Sequence, residues 1–176
     1  MGDQFSHQTT EERLEAAYNA MMQRVRQAMD QAGEKAQPIV EAIDKAAENA
    51  VELGELTREE SVKVAEYLRR DLHQAADYLN NTSDEFSTWL RFDWQLIEER
   101  LRDTLYSVVK RSAEEVQTWS ALREAADSGE YIWRTGEITA PGTLACQSCN
   151  KPMTFHKTSR IPPCSSCHAT TFQRVD

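Results

Sequence analysis

Cys146, Cys149, Cys164 and Cys167 are the residues of this chain whose type and spacing point most directly to chemistry. They form two CxxC pairs separated by residues 150–163. A CxxC turn brings two sulfurs to one ion while amides of the turn face them, and two such turns complete the tetrahedron that zinc prefers. Zinc motifs of this kind usually place about 15–20 residues between the pairs. The spacing here is slightly shorter and still admits a hairpin. We expect one Zn2+, structural, with these four cysteines as ligands. Four thiolates saturate the ion and leave no position for water or substrate.

Three alternatives weigh less. A dithiol redox site of thioredoxin type uses a single CxxC in a βαβ setting, which these pairs lack. Disulfides are disfavoured in the reducing cytoplasm expected for this chain. His156 or His168 could replace a cysteine as ligand, but both read as exposed loop residues. Neither pair is followed by glycine. Asn150 and His168 stand there instead, and asparagine takes up the left-handed turn more readily than histidine.

The elements around the cysteines must be short. From Tyr131 the stretches YIWRTGEI and GTLAC alternate apolar and polar residues, Gly and Pro become frequent, and helical periodicity stops, which predicts strands and turns. Residues 130–176 are therefore read as a small β zinc ribbon. So short a segment has too little core to stand alone, and metal binding supplies the deficit.

Ahead of it, residues 1–9 (MGDQFSHQT) are polar and are expected to be disordered, with no apolar signal-peptide region. Residues 10–129 read as an acidic, coiled-coil-like helical domain. Leu14, Tyr18, Met21, Val25 and Met29 recur at helical spacing, and Gly33 and Pro38 interrupt the pattern. Val40, Ile43, Ala47 and Val51 continue it as far as Gly54. Thr57 and Glu60 have the spacing of a capping box, so a helix should start at Thr57, with Ala65, Leu68, Leu72, Ala75 and Leu79 along one face.

Asn80 to Ser83 reads as a turn, with Ser83 or Asp84 as the next N-cap. Leu90, Trp94, Ile97, Leu101, Leu105 and Val108 then make one face, continued by Val116, Trp119 and Leu122 to a stop at Gly129. As one helix, residues 84–128 would extend about 65 Å and would need an antiparallel partner. The expected fold is mostly α, an elongated antiparallel helical bundle or coiled-coil hairpin followed by the ribbon. Trp89, Trp94 and Trp119 are expected as core anchors, and Trp133 as the residue packing helix against ribbon.

Charge narrows the function. The net charge of -9 is unevenly placed, and 40% hydrophobic with 28% charged residues suits helices buried along one stripe better than a large core. Mean hydropathy is -0.66, and no stretch approaches the length of a membrane span. Residues 1–130 hold 15 Lys+Arg against 27 Asp+Glu, and residues 131–176 hold 5 against 2. The acidic body lacks the basic stripe that drives nucleic-acid binding. In the tail only Arg134, Lys151, Lys157, Arg160 and Arg174 could touch phosphates. Glu98 with Glu99, and Glu114 with Glu115, lack the His, Ser or Gly-rich company of a catalytic pair and read as a solvated face. No phosphate loop, nucleophile elbow or HExxH motif occurs.

Together, GELT at 54–57, LRRDL at 68–72, the Trp119 region, RTGEI at 134–138, GTLACQSC at 142–149 and TFQRV at 171–175 resemble the bacterial YbeL-like zinc-ribbon-containing proteins. The resemblance runs from about residue 11 to the C-terminus and is strongest over 129–176. It implies that Cys146, Cys149, Cys164 and Cys167 are the metal ligands, in proteins of unknown function.

The expectation is a cytoplasmic, non-enzymatic protein that acts as an interaction or regulatory adaptor for protein partners. Nucleic acid is a disfavoured partner and no membrane is expected. A homodimer would help to cover the long apolar stripes. The alternative is a nucleic-acid-binding or RNA-polymerase-associated regulator, similar in architecture to the DksA type, with Asp77, Asp84 and Glu85 flanking the tip of its hairpin.

Overall fold

The computed structural model describes residues 9–32, 39–81, 107–108 and 131–175. Residues 1–8 of the predicted disordered start, Ser83 to Glu85, most of the predicted helix over 84–128, Trp89, Trp94, Trp119 and the paired carboxylates at 98–99 and 114–115 lie outside the described residues, while Thr9, expected to be disordered with them, is held as the cap of the first helix.

Three helices come first, α1 (Thr10–Ala32), α2 (Ile39–Glu52) and α3 (Arg58–Asn81). Local chemistry explains their ends. Glu60 donates its amide to Thr57 Oγ1 at 3.2 Å, and Glu60 Oε2 accepts the Thr57 amide at 2.9 Å, the reciprocal capping box expected from the spacing. An identical box at Thr9 and Glu12 opens α1. Gly54, at φ 70°, closes α2. Its amide reaches Val51 O at 3.0 Å and that of Glu55 reaches Ala50 O at 2.9 Å. These are the two bonds of a Schellman cap, which needs a left-handed residue at this point. Asn80 and Asn81, expected in a turn, are instead the last residues of α3.

The helices share one hydrophobic core. From α1 it takes Tyr18, Met21, Met22, Val25 and Met29, from α3 Val64, Ala65, Leu68, Leu72 and Ala75. On α2 the buried face is Ile39, Ala42, Ile43, Ala46 and Ala50. Val40, Ala47 and Val51, expected on that face with Ile43, are only half-buried. Three buried alanines present little bulk, so neighbouring helices can approach closely. Val108, helical and fully buried, joins the same core. At the periphery Arg13 pairs with Glu60, and Arg24 with Glu55, tying α1 to the region between α2 and the first turn of α3.

The C-terminal part is β: β1 (Trp133–Arg134), β2 (Ile138–Thr139), β3 (Gly142–Cys146), β4 (Pro152–Phe155), β5 (Ser159–Arg160) and β6 (Thr171–Arg174). A four-stranded sheet runs β1-β6-β3-β4, and β2 pairs with β5. All of these pairings are antiparallel. Trp133, Leu144, Cys146, Ile161, Cys164 and Phe172 form its core. Gly142, at φ 142°, leaves room for the Arg174 guanidinium, whose Nη2 would lie 2.3 Å from any Cβ placed there.

The β part rests directly on the helices. Ile138 and Ala140 are buried in the helical core. The Asp71 carboxylate on α3 is buried and accepts hydrogen bonds from Tyr18 Oη at 2.9 Å, Trp133 Nε1 at 3.0 Å and the Ala140 amide at 2.6 Å. Arg70 Nε adds a contact at 3.2 Å. A carboxylate costs several kcal/mol to bury unless its lone pairs are filled in this way. Burial first, and then the Asp71 carboxylate, push the Tyr18 hydroxyl well above its ordinary pKa.

Candidate metal centre

Both cysteine pairs sit on turns built to one plan. In the first, β3 ends at Cys146 and a turn over 147–149 leads to Asn150 and β4. The Asn150 amide donates to Cys146 O at 2.8 Å, and the Cys146 amide to Lys151 O at 3.0 Å. In the second, the His168 amide donates to Cys164 O at 2.9 Å, and the Cys164 amide to Ala169 O at 3.0 Å. Closing each turn requires a left-handed residue after its second cysteine. Asn150 has φ 57° and His168 φ 59°. His168 is thus a backbone device and is exposed, as is His156.

The two turns bring all four sulfurs within 4.8 Å of one another, the one such cluster of metal-ligating side chains among the described residues. Cys146 and Cys167 are 3.5 Å apart, Cys149 and Cys164 3.6 Å. A disulfide requires about 2.05 Å. Zinc at about 2.3 Å from each sulfur puts tetrahedral sulfurs about 3.8 Å apart, close to the spacing seen. Cys146 and Cys164 are buried, while Cys149 and Cys167 lie on the exposed side.

Amides of the turns prepare the sulfurs for charge. Those of Cys167 and Ser166 hold the Cys164 thiol down to about 6. Burial would raise Cys146, but the amides of Cys149 and Ser148 outweigh it, and its pKa falls. Cys167 is raised to about 12: the Ala169 amide lowers it, but the neighbouring sulfurs of Cys149 and Cys146 prevail. A divalent cation removes that repulsion and takes thiols as thiolates. Zinc supplies folding energy here, while the chain positions the donors.

Two of the tail's five cations, Arg160 and Arg174, are engaged within the molecule. Arg160 pairs with Glu11, and its amide donates to Glu15. Lys157 lies 3.8 Å from Glu15. Arg174 donates to the carbonyls of Pro141 at 2.6 Å and Ala140 at 3.1 Å, with its guanidinium 5.7 Å from the Trp133 ring centre. Arg134 and Lys151 are exposed.

Two CxxC turns, one at the end of β3 and one between β5 and β6, converging on a single cluster of four sulfurs, define a zinc ribbon with a single structural zinc site. The chain belongs to the zinc-ribbon containing domain family (DUF1451), a family of unknown function whose model matches residues 26–176. The match begins within α1, so the family unit takes in helices as well as the ribbon. No curated protein and no solved structure matches the chain. No helix among the described residues is long and apolar enough to cross a membrane.

Proposed function

We propose that this chain is a non-enzymatic interaction protein of the bacterial cytoplasm, of the YbeL-like kind, in which an elongated helical bundle and its ribbon present surfaces to protein partners. One observation carries this reading: the four-sulfur donor set fills the coordination of zinc, leaving no site for an activated water or a polarised substrate. The role of the metal is then to shape a surface. Engagement of Arg160 with α1 and of Arg174 with the ribbon's own carbonyls favours a protein partner over nucleic acid.

The test is affinity capture from bacterial lysate on the immobilised, zinc-loaded chain, with and without nuclease. The expected result is a reproducible set of proteins that survives nuclease and disappears when Cys164→Ser is the bait. Capture of nothing reproducible, or of proteins that depend on nuclease-sensitive material, would overturn the reading.

A further inference from the structure

We infer that the zinc centre and the helical core are one cooperative unit joined through Asp71, so that metal occupancy sets how firmly the ribbon caps the helices. The connection is short. Asp71 on α3 accepts the Trp133 indole N–H at 3.0 Å. Trp133 is paired in register with Phe172, and Phe172 with Cys146. Cys146 and Cys164 are themselves part of the small core that holds Trp133. One side chain therefore belongs both to the packing around two metal ligands and to the buried carboxylate of the helices.

Other contacts run in parallel. Ile138 and Ala140, next to β1 in sequence, are buried in the helical core rather than in the ribbon core. Arg70, the neighbour of Asp71, pairs with Glu137, donates to Ile138 O at 3.0 Å and lies 4.7 Å from the Trp133 ring centre. Thr158 donates to Asn19 on α1 at 2.7 Å. If the ribbon loses order, Asp71 loses the Trp133 and Ala140 donors together, and a buried carboxylate short of donors is costly. Coupling of this kind is reciprocal: what zinc does for the helices, the helices do for zinc. The inference is independent of which partner the protein serves.

Asp71 is accordingly a positioning residue for a metal it does not touch. The experiment uses the full chain under reducing conditions, zinc-loaded or stripped by chelator. Two readouts are followed: the thermal midpoint of helical ellipticity, and zinc retention against a chromophoric chelator. Stripping zinc is expected to lower the helical midpoint. Asp71→Asn is expected to weaken zinc retention and, by reciprocity, to shrink the zinc-dependent shift of the midpoint by a matching factor.

Trp133→Phe keeps a ring in the core while removing the donor, and serves if Asp71→Asn does not fold; its effect should be smaller in the same direction. Ile43→Val removes a methylene from the helical core without touching Asp71; it should lower the midpoint of zinc-loaded and stripped protein alike and cost less zinc retention than Asp71→Asn. A helical midpoint indifferent to zinc would overturn the inference. So would wild-type zinc retention in both Asp71→Asn and Trp133→Phe, or an equal loss of retention in Ile43→Val.

Discussion

Trp133 donates its indole N–H to Asp71 across sixty-two positions of sequence, at 3.0 Å. The same carboxylate is filled on its other oxygen by Tyr18 Oη at 2.9 Å and the Ala140 amide at 2.6 Å. Helix α1, helix α3 and the ribbon thus meet at one buried acid, and each contributes a partner that the others cannot replace.

Tyr18→Phe isolates one of these bonds, because it keeps the ring and removes the hydroxyl. Hydrogen bonds to charged groups contribute about 1.5–3 kcal/mol, and a loss of that size is expected by urea unfolding at neutral pH. Wild-type stability in the variant would show that the hydroxyl contributes nothing to the node.

Glu60 should impose a pH dependence of known sign. Arg13, followed by the Thr57 amide, lowers its carboxyl from 4.5 to about 2. A depressed acid stabilises the fold above its unfolded pKa and loses that contribution as pH falls through the folded one. Glu60→Gln is therefore expected to be less stable than wild type at pH 7 by about 1 kcal/mol, since the pair is partly exposed and screened. The difference should close as pH falls from about 4.5 to about 2. A constant difference across that window, in paired denaturation curves, would contradict the assignment.

The metal quartet and the Thr57 cap were legible because their information is local: a CxxC turn or a capping box is complete within four residues. The positions of Asn150 and His168 were legible for the same reason. The Asp71 node was not. In LRRDL an aspartate beside two arginines reads as solvated helix surface, and its partners stand 53, 62 and 69 positions away. The face of α2 misled for another reason, since the valines carry the hydropathy signal while Ala42, Ala46 and Ala50 are the residues buried. The box at Thr9 and Glu12 has the same TxxE spacing as that at Thr57 and Glu60, but it adjoins a polar start that reads as disordered.

His168 offers a stabilising substitution. At φ 59° its Cβ crowds the following carbonyl, which costs a non-glycine residue about 1–2 kcal/mol. The side chain is exposed and is not needed as a ligand if the four sulfurs hold the metal. His168→Gly is expected to raise stability by about 1 kcal/mol, after allowance for glycine's larger unfolded-state entropy. Asn150→Gly should change it less, because asparagine tolerates this region. Destabilisation by His168→Gly, in thermal unfolding of the zinc-loaded protein, would mean that the imidazole makes a contact of its own.

The donor set itself can be read without reference to function. Four sulfurs and no nitrogen predict one zinc per chain and, after cobalt substitution, a tetrahedral spectrum with strong thiolate-to-metal charge transfer. Cys146→Ser and Cys164→Ser remove buried ligands and should abolish stoichiometric binding. Cys149→Ser and Cys167→Ser, on the exposed side, should weaken it and leave a perturbed cobalt spectrum, because solvent can supply the missing oxygen there. His156→Ala and His168→Ala should leave both stoichiometry and spectrum unchanged. Because the thiols must deprotonate to bind, zinc should also be released as pH falls, in every variant that binds it. A histidine variant that loses the metal, while its cysteine counterpart keeps it, would replace the four-sulfur site with a mixed one.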